Sequence, residues 1–190
     1  MDKYKELVLK GKEAYLDALN EIGWFKVSNN SKDEIEKRLN EENVPANYLF
    51  SLWDLWFDAE GFDSADGYEF LLNHILETVK IEIVKVSVSY VKETNSVEIE
   101  INTKSNNYHY SIELKSDWID DDFINEFINN LVLVKENIDR KFFEIPTDDQ
   151  TAKYVFLPQS VYDKAIKLGV IPNDLGYFHK QEERINTLHL

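Results

Sequence analysis

The chain has no cysteine, which removes disulfides, thiolate nucleophiles and cysteine-ligated zinc together and suits a reducing compartment. Glycine is scarce, with six in 190 residues, and they form neither a Walker A loop nor a dinucleotide fingerprint, so no phosphate-binding cofactor is expected. There is no Gly-x-Ser-x-Gly elbow and no base marked out for any serine, which leaves nucleophilic catalysis unsupported. No run approaches the roughly 20 apolar residues that cross a bilayer. The charged start from Met1 to Leu7 lacks the apolar stretch of a signal peptide, so the expectation is a cytoplasmic protein with no membrane partner.

Positive charge is the other shortage. Lys and Arg number 21 against 36 Asp and Glu, a net charge of −15, which opposes direct binding to nucleic-acid phosphates or anionic membranes and favours a basic protein partner. The excess is local. Residues 1–38 carry eight of each sign, whereas residues 39–79 carry nine acids and no base.

What is present is core-forming material: 43% hydrophobic and 13% aromatic residues are too many for a disordered chain, and 190 residues suit a single domain, 1–190. Spacing of three and four predicts a helix over residues 2–22, with Leu7, Gly11, Tyr15, Ala18 and Ile22 on one stripe and Gly23 as its cap. Ser31 with Glu34 forms a capping box for a second helix that Pro45 closes. A third helix is expected from Ala46 to Glu60, placing Leu49, Leu52, Trp53 and Trp56 in the core. A fourth covers 67–79, with Tyr68, Leu71, Leu72, Ile75, Leu76 and Val79 inside.

The period then becomes two. Val84 to Tyr90, Val97 to Ile101 and Tyr108 to Leu114 read as an antiparallel meander, turning at Thr94-Asn95-Ser96 and Ser105-Asn106-Asn107. Asp117 or Ser116 caps a helix with Phe123, Phe127, Leu131 and Val134 buried. Strands follow at Phe142–Ile145 and Tyr154–Leu157, and a helix runs from Pro158 to Gly169. The fold class is therefore α+β: a helical portion over 1–79 packed on an antiparallel sheet of about five strands, two further helices within 80–172, and a weakly periodic tail over 173–190.

Metal binding fails on spacing. A calcium loop started at Asp58 puts Phe62 at its fifth position, where an oxygen donor is required, and His74, His109, His179 and His189 form no His-x-His or His-x-x-x-His pair. No metal or other cofactor is expected. The acidic run has two readings, solvated helix faces or a binding surface. In the second, Asp54, Asp58, Glu60, Asp63, Asp66 and Glu69 pair with Lys or Arg of a partner, and Phe62 either anchors that partner or folds down into the core.

A small, acidic, cysteine-free α+β chain without catalytic motifs resembles the immunity proteins of bacterial polymorphic toxin and contact-dependent inhibition systems. Asp139-Arg140-Lys141-Phe142 through Asp149-Gln150, then Tyr154-Val155-Phe156-Leu157 and Gly169-Val170-Ile171-Pro172, look like a phrase recurring in small bacterial proteins of this kind. The resemblance spans mostly residues 80–172 and transfers no functional residue. It implies a non-enzymatic binding module that neutralises a cognate toxin, often a basic nuclease whose cleft an acidic surface can block. Two other readings are a ligand-binding domain or enzyme with a pocket between sheet and helices, and an adaptor in a larger assembly.

Overall fold

The computed structural model describes residues 2–41, 45–147, 149–174, 176 and 177. In chain order its elements are α1 (Lys3–Leu9), α2 (Lys12–Glu21), α3 (Lys32–Glu41), β1 (Leu55–Asp58), α4 (Ala65–Val79), β2 (Ile83–Val91), β3 (Ser96–Thr103), β4 (Asn107–Glu113), a π-helix (Phe123–Val132) continued by α5 (Leu133–Lys135), β5 (Lys141–Ile145), β6 (Thr151–Leu157) and α6 (Gln159–Leu168). The class is α+β, as the two periodicities require. The strands form two three-stranded sheets, β1-β6-β5 and β2-β3-β4, in place of the single five-stranded sheet expected. By its contacts the chain divides into two units, Met1–Trp56 with Phe143–Leu190, and Phe57–Phe142.

In the first unit the helix expected over 2–22 is two helices. Gly11 lies between them at φ +92°, a conformation glycine adopts at little cost and other residues resist, and it ends the first run of backbone bonds. The apolar stripe survives the break, since Leu7, Tyr15, Ala18 and Ile22 are all buried. Ser31 and Glu34 make the capping box: Ser31 N–H donates to Glu34 Oε2 at 2.7 Å and Glu34 N–H donates to Ser31 Oγ at 3.2 Å. The end expected at Pro45 cannot be placed, because residues 42–44 lie outside those described, as do His179, His189 and most of the tail.

The helix expected from Ala46 to Glu60 is absent. A 3₁₀ helix over Pro45–Ser51 gives way to β1, in which Leu55 and Phe57 are buried and Trp56 and Asp58 exposed. Asp54 causes the change. Its N–H donates to Tyr154 O at 2.9 Å, and its carboxylate accepts from Asn30 Nδ2 and from Phe156 N–H, both at 2.8 Å. Those bonds fix an extended chain beside β6 and override a helical pattern that Leu49, Leu52, Trp53 and Trp56 fit equally well. The two tryptophans are therefore not core. Trp53 is half-buried under the Arg38 guanidinium, 4.3 Å from its ring centre, and Trp56 faces solvent.

The second unit holds the expected antiparallel meander. Val86 pairs with Ile101, Val88 with Ile99 and Tyr90 with Val97, while β3 pairs with β4 through Ile99–Tyr110 and Ile101–Tyr108. Val97, Ile99 and Ile101 on the central strand are fully buried, and α4 buries Tyr68, Leu71, Leu72, Ile75 and Leu76. The helix expected after Asp117 starts later and is wound differently. From Phe123 to Val132 it is a π-helix, in which each N–H reaches back five residues. The buried set becomes Phe123, Ile124, Phe127, Ile128, Asn129, Val132 and Leu133, while Leu131 is only partly covered and Val134 is 57% exposed. Buried Asn129 is satisfied by a two-bond clamp on the Phe142 backbone, with both bonds 2.8 Å.

Candidate functional site

Beyond β1 the chain turns at Gly61, and residues 59–62 run antiparallel to residues 117–119. Ile119 N–H donates to Ala59 O at 3.0 Å, Phe62 N–H donates to Asp117 O at 2.8 Å, and Glu60 bridges to Trp118 between them. This pairing lies within the second unit and joins two acid-rich segments far apart in sequence. The first contributes Asp58, Glu60, Asp63, Asp66 and Glu69, all exposed; the second contributes Glu113, Asp117, Asp120, Asp121 and Asp122. Lys115 is the single base in either segment, and it lies 3.4 Å from Glu113.

Two of the expected site residues are elsewhere engaged. Asp54 belongs to the first unit and is held as the latch between Asn30 and the β6 backbone, so it is not free to pair with a partner. Phe62 is only 4% exposed. It packs edge-on against Phe57 at 5.7 Å and Tyr68 at 5.0 Å, and Tyr68 continues the row to Phe123 at 5.4 Å. Of the two roles open to Phe62, the structure selects the core one, because a ring ordered by two aromatic neighbours loses more by leaving them than an acidic loop gains by displaying it.

The exposed aromatic of this surface is Trp118, at 48% exposure. It lines a cavity of about 240 Å³ together with Tyr68, Glu113, Lys115, Asp120 and Asp121. The Asp120 carboxylate is set in place before any ligand arrives. Its Oδ1 accepts from Tyr110 Oη at 3.2 Å and from Asp122 N–H at 3.1 Å, while its own N–H donates to Tyr68 Oη at 3.1 Å. Burial, and then the neighbouring Asp120 carboxylate, push the Tyr110 hydroxyl well above its ordinary range; burial does the same to Tyr68. Both phenols therefore stay neutral and keep their hydrogen bonds.

Sequence reasoning missed Trp118, Asp120, Asp121 and Glu113 as members of this surface. A tryptophan set among Asp117, Asp120, Asp121 and Asp122, before the apolar period begins at Phe123, is the signal that was available. Asp117 reads instead as a helix cap.

The other polar cluster of this unit lies on the outer face of the meander. Ser111 Oγ at 2.6 Å and Ser96 Oγ at 3.1 Å donate to Glu98 Oε1, and His109 Nε2 lies 2.8 Å from Glu98 Oε2. The Ser111 hydroxyl foremost holds Glu98 below the usual carboxylate range. Both serines give their protons to the carboxylate and neither to the imidazole, so the cluster lacks the serine–histidine bond that activates a nucleophile. Among the described residues no group of three or more His, Asp or Glu is arranged to hold a metal ion, and no helix is long and apolar enough to cross a membrane. Comparison with protein-family models, curated proteins and solved structures finds no match to the chain.

Proposed function

We propose that this chain is a non-enzymatic protein-binding module of the cytoplasm that engages a basic partner through the acidic surface around Trp118, as an immunity protein neutralising a cognate bacterial toxin. One observation supports this reading most: the 59–62 and 117–119 pairing gathers acids from two distant segments around a half-exposed indole. Carboxylates at the rim would speed encounter with a basic protein, and the indole beside Asp120 and Asp121 would take a Lys or Arg side chain by cation–π attraction backed by charge. The size of the cavity favours a side chain as its occupant. At about 240 Å³ it falls short of the roughly 300–1,000 Å³ of small-molecule sites.

The test uses the product of the gene neighbouring this chain's own. Its toxicity should be relieved by co-expression of this chain, and the two proteins should associate at a rate that falls steeply with added salt. Reversing Asp63, Asp66 and Asp121 together to Lys should slow association at least tenfold at low salt and flatten the salt dependence. Trp118→Ala should act mainly by faster dissociation. Association and salt dependence unchanged in the charge-reversed variant would remove this surface from the function.

A further inference from the structure

Among the described residues strand β2 is an edge strand, in the order β2-β3-β4, so one side of it carries backbone N–H and C=O groups with no strand beside them. Its coverage is unusual for the rim of a packed meander. Val86, Val88 and Tyr90 sit opposite Ile101, Ile99 and Val97, all fully buried, yet none of the nine residues of β2 is itself buried. Val84 is 68% exposed and Tyr90 48% exposed. The apolar stripe of the sheet therefore runs out to its last strand and is only partly covered there.

The devices that protect a natural edge are nearly missing. There is no proline in β2, and the one irregularity of register lies at its start, between Ile83 and Lys85. Lys85 is the only charged residue of the strand, and it turns inward across the sheet, 3.8 Å from Glu100. A nine-residue edge without proline is a template for another strand.

We propose that β2 pairs with β2 of a second copy of this chain, antiparallel about a two-fold axis at Ser87, giving a continuous six-stranded sheet. The strand is self-complementary in that register. Val86 faces Val88 of the copy on the apolar face, Lys85 faces Ser89 and Ser87 meets its own equivalent on the polar face, and exposed Val84, at the register shift, comes opposite Tyr90. Charge permits a copy at this place. A protein of net charge −15 repels itself over most of its surface, but residues 83–91 contain one base and no acid, so two such strands meet without carboxylates between them. The pairing is independent of the acidic surface, whose residues it does not use.

Sedimentation equilibrium on the full chain should give the mass of a dimer. Val84→Asp, at a site too exposed to disturb the monomer, places a carboxylate against Tyr90 of the copy twice over in a chain already at −15. It should weaken the dimer by about a hundredfold or more while leaving the circular dichroism and melting temperature of the monomer in place. The lack of native cysteine makes a second test specific. Ser87→Cys should form a covalent dimer on mild oxidation, since directly opposed β-carbons lie roughly 4.5–5.5 Å apart, whereas a control at exposed Ser160→Cys should not. A monomer at every concentration up to the solubility limit would overturn the proposal. So would a dimer that Val84→Asp leaves intact and Ser87→Cys fails to link.

Discussion

Gly169 and Gly11 both hold positive φ, +77° and +92°, but for different reasons. A β-carbon on Gly169 would lie 2.5 Å from the Lys3 carbonyl carbon, so the end of α6 closes on α1 only because that atom is missing; around Gly11 nothing lies within 4 Å. Gly169→Ala should therefore cost about 3 kcal/mol, backbone strain plus overpacking, and Gly11→Ala only about 1 kcal/mol, in denaturant unfolding. Asp54 poses the same kind of contrast among the acids. Removing its carboxylate in Asp54→Ala takes one acceptor from Asn30 Nδ2, which keeps its bond to Trp53 O, and one from the Phe156 N–H, a loss of about 2–3 kcal/mol, whereas Asp63→Ala or Asp66→Ala on the exposed face should move stability by less than about 0.5 kcal/mol. Asp54 and Asp63 are alike in sequence. Their roles differ because one carboxylate meets backbone donors and the other meets water.

Among the elements, the π-helix departs furthest from its sequence reading. Phe123, Ile128 and Leu133 recur at fives, as do Ile124 with Asn129 and Phe127 with Val132, and that spacing follows the wider turn. An α-helical winding would bury Val134; this one exposes it. Val134→Asp should thus be nearly silent, while Ile128→Ala should cost about 3 kcal/mol through the cavity it leaves, and thermal melts of the two variants separate the windings. Just after α5, Glu136 ties the helix to the β3–β4 turn. Its Oε1 accepts from Tyr108 Oη at 2.7 Å, Thr103 Oγ1 at 2.8 Å and Asn106 Nδ2 at 2.9 Å. Capping boxes, meander alternation and the glycine stop of α6 were legible in sequence, since each is decided by neighbours within a few residues.

For the whole molecule, ionisation frames the range of stability. Burial would raise the Glu136 carboxyl, but hydrogen bonds from Tyr108, Asn106 and Thr103 outweigh it and hold it below its ordinary value; Ser31 lowers Glu34, Ser111 lowers Glu98 and Thr151 lowers Asp149. With folded values depressed, the unfolded chain binds these protons first. Their stabilisation is complete above about pH 5 and is lost as pH falls through the lowered values, beneath the ordinary 4.5 of Glu and 3.8 of Asp. At the other end burial raises Tyr4, Tyr15, Tyr68, Tyr108, Tyr110 and Tyr162. Their contribution is whole below the ordinary 10.0 and disappears as pH climbs beyond it. Melting temperature against pH should show a plateau falling away on both sides, and at pH 7 added salt should raise it by screening the charge of −15.

Sequence by itself determined the α+β class, the three strands of the meander, the capping box, the helices expected at 67–79 and from Pro158 to Gly169, and the placing of acid excess in residues 39–79. These follow from local spacing and composition, which no distant contact has to confirm. Tertiary structure alone decided that residues 55–58 are a strand, because the group that fixes them, the Asp54 carboxylate, binds a backbone 102 residues away. It decided that the strands close into two sheets rather than one. It also decided the make-up of the candidate surface, turning Phe62 inward onto Tyr68 and Phe57 and bringing Trp118, Asp120 and Asp121 to the acidic loop through backbone bonds that carry no mark in the side-chain pattern.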